Sequence, residues 1–86
     1  MPAFLKLEVG LDEVTVSWSF DEANNTQFEV FRKDSLNGNY ESVGLVSDLF
    51  YEDQGLTPGD YWYRVYAVSG ESRSKGSNVR KATIVE

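Results

Sequence analysis

A chain of 86 residues with 41% apolar and 14% aromatic side chains is long enough for one hydrophobic core and has the composition of a folded protein. Its net charge of −6 speaks against nucleic acid, whose phosphates need a concentrated basic surface, and the absence of histidine removes the commonest general base and the imidazole metal ligand. Without cysteine there is neither a disulfide framework nor a thiolate zinc site, and no apolar run approaches the ~18 residues of a membrane span.

Taken in order, the chain shows alternation at period 2, which sends successive side chains to opposite faces of a sheet. Leu5, Leu7 and Val9 alternate with Lys6 and Glu8 and predict a first strand closed by Gly10. Val14, Val16 and Trp18 alternate with Thr15, Ser17 and Ser19 in a second, rich in β-branched residues. Polar Asp21 to Asn25 reads as a loop, and a third strand follows with Phe28 and Val30 on one face, Glu29 and Phe31 on the other. Asn37-Gly38 accepts positive φ at both positions of a tight hairpin turn, so Tyr40 to Val46 is expected to return as a fourth strand.

Leu49 to Asp53 reads as a short fifth strand, and Thr57-Pro58-Gly59 as a turn in which proline presets φ and glycine supplies a conformation other residues avoid. Tyr61 to Val68 is the strongest strand, with Tyr61, Tyr63, Val65 and Ala67 on one face and Trp62, Arg64, Tyr66 and Val68 on the other. A Ser- and Gly-rich loop from Ser69 to Ser77 precedes a seventh strand, Val79 to Val85. Seven short strands with regular turns predict an all-β antiparallel sandwich, a single domain over residues 1–86.

Leu56-Thr57-Pro58-Gly59-Asp60-Tyr61, followed by Val65-Tyr66-Ala67-Val68, resembles the E–F corner and F strand of a fibronectin type III domain. Trp18 stands where that family keeps its B-strand tryptophan, and Ser77-Asn78-Val79 with Ala82-Thr83 is similar to the last strand of its bacterial members. The resemblance runs from about Ala3 to Ile84 in the family's order. It implies a seven-stranded, immunoglobulin-like sandwich with Trp18, Leu56 and Tyr61 in its core. The corner is one residue shorter than the commoner pattern, which leaves Tyr61 as the corner tyrosine, its hydroxyl returning to backbone near Leu56.

No residue set offers conventional catalysis. Glu52-Asp53 and Asp21-Glu22 pair carboxylates, but acid–base work needs a cleft that raises one pKa, and a filled sandwich has none. Acidic residues at Asp12-Glu13, Asp21-Glu22, Asp48 and Glu52-Asp53 lack the spacing of a calcium loop and read as solvated acids. Gly70 and Gly76 precede no helix, so the loop between them, without an Arg-Gly-Asp signal, is a connector or a contact loop, not a phosphate cradle. Asn24-Asn25-Thr26 is a formal glycosylation acceptor.

Phe31, Trp62, Arg64 and Tyr66 share an outward face and form the candidate binding surface, for polysaccharide or protein; cross-strand pairing is the structural alternative. Charge is uneven, with 12 acidic and 3 basic residues over 1–60 against 2 and 5 over 61–86, a split expected to mix once strands interleave.

An odd number of strands brings the chain in at one end and out at the other, making a spacer on the order of 25–30 Å. The expected function is a non-catalytic spacer or presenting module of a larger secreted protein, which the bacterial resemblance implies to be a carbohydrate-active enzyme or an adhesin. A ligand-binding module or an engineered scaffold on the same fold are the alternatives. No cofactor, metal, nucleic acid or membrane is expected; the partners are neighbouring domains and the chain a monomer. The start, Met1-Pro2-Ala3-Phe4-Leu5-Lys6, lacks an export pattern, so an extracellular setting implies an excised piece.

Overall fold

Alternating apolar and polar residues build the first sheet from β1 (Ala3–Val9), β2 (Val14–Ser19) and β5 (Phe50–Asp53), antiparallel in the order β1-β2-β5. The computed structural model describes residues 3–20, 26–35, 37–69, 72–73 and 79–85. Asp21-Glu22, the Asn24-Asn25 part of the glycosylation acceptor and most of the loop over 70–76 lie outside them. The second sheet places β3 (Gln27–Lys33) between β4 (Glu41–Val46) and β6 (Gly59–Ser69). Along the other edge of β6 run two segments, β7 (Ser72–Arg73) and β8 (Arg80–Ile84). Among the described residues, eight segments thus fill seven strand positions in two antiparallel sheets.

Both sheets turn one set of alternating residues inward. Val14, Val16 and Trp18 of β2 meet Phe28 and Val30 of β3 and Tyr61, Tyr63, Val65 and Ala67 of β6, with Ala82 and Ile84 of β8 closing the side. Trp18 lies with its ring centroid 5.5 Å from Phe28, and Phe20 meets Phe28 edge-on at 5.3 Å. Burying about 200 Å² at ~25 cal/mol per Å² gives Trp18 up to ~5 kcal/mol, a large share of a small domain's stability. Its indole Nε1 is buried without a hydrogen-bond partner, a cost that this packing absorbs.

The two sheets are tied at the turn from β5 to β6. Gly55 (φ +73°) and Gly59 (φ +149°) take backbone conformations open to glycine, bracketing buried Leu56. The Leu56 N–H donates to the Asp12 carbonyl at 2.8 Å, and the Tyr61 hydroxyl donates to the Thr57 carbonyl at 2.7 Å. The corner tyrosine hydroxyl therefore ends one residue past Leu56.

Two expectations are corrected here. Gly38 does not take positive φ, so Asn37-Gly38 does not form a tight two-residue hairpin. Its N–H instead donates to the Ser35 carbonyl at 3.1 Å, closing a turn inside a longer connection from Lys33 to Glu41. The molecule is also longer than the expected spacer, with extents of 40 × 24 × 19 Å. The eleven-residue β6 alone spans roughly 33 Å at a strand's usual rise. Strand registers set Ala3 beside Ser19 and Ile84 beside Gly59, so β1 begins at the end opposite the one where β8 finishes.

Candidate interaction face

The uninterrupted register between β3 and β6 sets Lys33 opposite Trp62, Phe31 opposite Arg64 and Glu29 opposite Tyr66. Because Tyr61, Tyr63, Val65 and Ala67 face inward, the intervening Trp62, Arg64 and Tyr66 face outward, and Phe31 joins them. Sheet register thus brings together the four residues singled out in the sequence. None is fully exposed; all four are half-buried. Phe31 and Tyr66 meet edge-on at 5.3 Å, and the Arg64 guanidinium lies 5.6 Å from the Tyr66 ring centre.

Three residues not singled out complete the face. Lys33 holds its ammonium 4.9 Å from the Tyr40 ring and 5.7 Å from the Trp62 ring, and Lys81 reaches Trp62 from the opposite neighbouring strand at 5.6 Å. Lys33 could have been found by adding two to Phe31; Lys81 required the β6–β8 register. Burial raises the Tyr40 pKa, opposed by the charge of Arg64 and reinforced by Tyr66. At the rim, Thr83 donates to Asp60 at 2.7 Å and lowers its pKa, with the Lys81 ammonium 3.5 Å away adding to the effect. Cations over rings, not bare rings, characterise this surface.

A second polar group stands at the edge of the core. The Arg32 guanidinium donates to both carboxylate oxygens of Asp53, at 2.8 and 2.7 Å, and the buried Tyr63 hydroxyl donates to the same carboxylate at 2.7 Å. Asp53 is 5% exposed, which corrects its expected place among solvated acids. Glu52 and Asp53 face opposite ways, Asp53 standing opposite inward Val14 and Glu52 opposite Thr15 on the outer face. Burial works to lower the Arg32 pKa, but the hydrogen bond and charge of Asp53 outweigh it and raise it above the ordinary value. With both carboxylate oxygens engaged, the group joins the two sheets. Among the described residues no three acids gather into a cation cage, and a polar depression of about 80 Å³ is lined by Arg32, Lys33, Asp34, Asn39 and Glu41.

No family model matches the sequence, and no curated protein matches it either. Solved structures do. A human fibronectin type III domain, from fibronectin type III domain containing protein 3, superposes with a TM-score of 0.80 at 20% identity over 99% of this chain and 84% of its own. The fold is that of a fibronectin type III domain. Domains A168–A170 of titin match with a TM-score of 0.84 and 21% identity over 99% of this chain, which spans 32% of that one. Pectate lyase Pel3 from Pectobacterium carotovorum matches with a TM-score of 0.79 and 30% identity over 95% of this chain, which spans 26% of the lyase. In the titin and lyase structures the matching segment is thus only part of a longer chain.

Proposed function

We propose that this fibronectin type III fold serves as a non-catalytic spacer or presenting module within a larger, exported bacterial protein that acts on carbohydrate. The observation that carries the reading is the placement of the terminal strands: β1 starts and β8 finishes at opposite ends of a 40 Å long axis. Modules of that shape add in a line. The bacterial and carbohydrate-directed part of the reading draws on the 30% identity to a segment of pectate lyase Pel3. Two copies joined end to end test the spacer by small-angle scattering. The longest dimension should approach twice that of one copy; a pair folded back to the length of one copy overturns the reading. The coding sequence on either side of the domain checks the rest, an export signal and a polysaccharide-acting domain being the expected neighbours.

A further inference from the structure

We propose that the end of the sandwich at which β1 and β8 both finish is a docking surface for the domain that follows this one in the parent chain, met by an apolar side chain with basic groups beside it. This deepens the spacer reading and rests on it: a docked neighbour fixes the angle between modules, which a bare spacer leaves free.

Val9, Leu11 and Val85 are exposed to 48, 93 and 75%. Single exposed apolar residues are ordinary, but these three share one pole. β1 ends at Val9, opposite Val14, and β8 ends at Ile84, opposite Gly59. The hydrogen bond from Leu56 to Asp12 joins the turn after β1 to the turn before β6, which holds both strand ends together. Arg80 Nε donates to the Leu5 carbonyl at 3.3 Å, and from that contact β1 and β8 run the same way, so Ile84 stands level with Val9. Val9 continues the inward row of Leu5 and Leu7, yet Leu5 is buried and Val9 is not: the core runs out to the surface here. Leu11, almost wholly in solvent, adds nothing to that core. Asp12 and Glu13 follow it and make the rim acidic, so a second copy meeting the same pole head to head would set acid against acid, whereas a partner with basic groups is complementary. Val85 is the first residue past β8. A domain continuing the chain through a short flexible link is therefore held beside this surface at an effective concentration of roughly millimolar. Under that condition a small apolar contact suffices.

The test compares amide NMR spectra of the isotope-labelled domain alone with those of a piece that also contains the domain encoded next. The Val9, Gly10 and Leu11 amides are the readout, because they lie far from the junction in sequence. The expected result is a shift at all three on attachment, with both modules tumbling as one body. L11S should lower the ratio of docked to undocked molecules by about tenfold, returning the Val9 and Gly10 amides toward their positions in the single domain. In the single domain the same substitution should leave the unfolding midpoint in place. Unchanged amides from Val9 to Leu11 on attachment overturn the proposal and leave the spacer reading standing. So does a shift that L11S fails to reverse, which assigns it to the link, or one that grows with concentration in the single domain, which assigns the surface to a second copy. If no domain is encoded after this one the inference falls, and the spacer reading falls with it only if none precedes it either.

Discussion

The Tyr61 hydroxyl reaches the Thr57 carbonyl at 2.7 Å and lies 3.2 Å from the Thr57 hydroxyl. Its ring is buried under the corner, with the Arg32 guanidinium 5.7 Å from the ring centre. Replacing it by phenylalanine keeps the ring and removes one hydrogen bond, so Y61F should lose about 1 kcal/mol, read from the denaturant midpoint at unchanged slope. A Y61F protein as stable as the parent would show that the corner is held by packing alone. The residue was visible in the sequence because the Pro-Gly turn and the alternating strand after it fix both its place and its face. Asp53 was not: the arginine that neutralises it lies 21 positions earlier and on the other sheet. Sequence spacing shows a charge, not what lies across a sandwich.

Pairs of strands make demands that single strands hide. Gly44 stands opposite inward Val30, and a Cβ there would lie 2.5 Å from the Tyr51 ring. That ring cannot retreat freely, since the Tyr51 hydroxyl donates to the Val43 carbonyl at 2.8 Å. G44A is therefore expected to cost about 1–3 kcal/mol, the usual price of overpacking, measured by thermal unfolding; a neutral G44A would mean the ring has room to move. The link between β3 and β5 is testable in the same way. R32M leaves a buried carboxylate unpaired and should lose on the order of 1.5–3 kcal/mol. R32M/D53N, which removes the stranded charge while keeping an acceptor for Tyr63, should recover part of that loss. If the double variant is no more stable than R32M, the damage comes from lost packing of the arginine stem.

The same scale explains why strands were legible and one turn was not. Period-2 alternation survives into β2, β3 and β6 because one face of each is buried. Asn37-Gly38 is a local preference only, and the connection from Lys33 to Glu41 is long enough to place its turn at Ser35 to Gly38 instead. The outward face was half legible for a related reason: parity finds residues within a strand, whereas Lys81 joins through pairing to a strand nearly twenty residues away.

For the molecule as a whole, the tyrosine in the middle of the core sets an alkaline limit. Burial, then the hydrogen bond to Asp53 and its charge, push the Tyr63 hydroxyl far above its ordinary value, against the opposing charge of Arg32. In the unfolded chain this group ionises near pH 10. Above that pH the unfolded state binds fewer protons than the folded one, so stability is full below ~10 and falls as pH rises beyond it. Thermal midpoints from pH 8 to 11 should show this decline, and Y63F should flatten it at the cost of a lower starting midpoint. An equally steep decline in Y63F would assign it to other groups, Tyr40 among them, whose pKa burial also raises.

The opposed placement of the terminal strands has a mechanical side. Ladder hydrogen bonds run across the strands, and a pull between the two ends acts along them, drawing β1 against β2 and β8 against β6 lengthwise. The bonds of each pair then carry the load together instead of parting one at a time. A module built this way resists tension along its long axis far better than its modest size suggests, and would yield readily only to a force applied sideways.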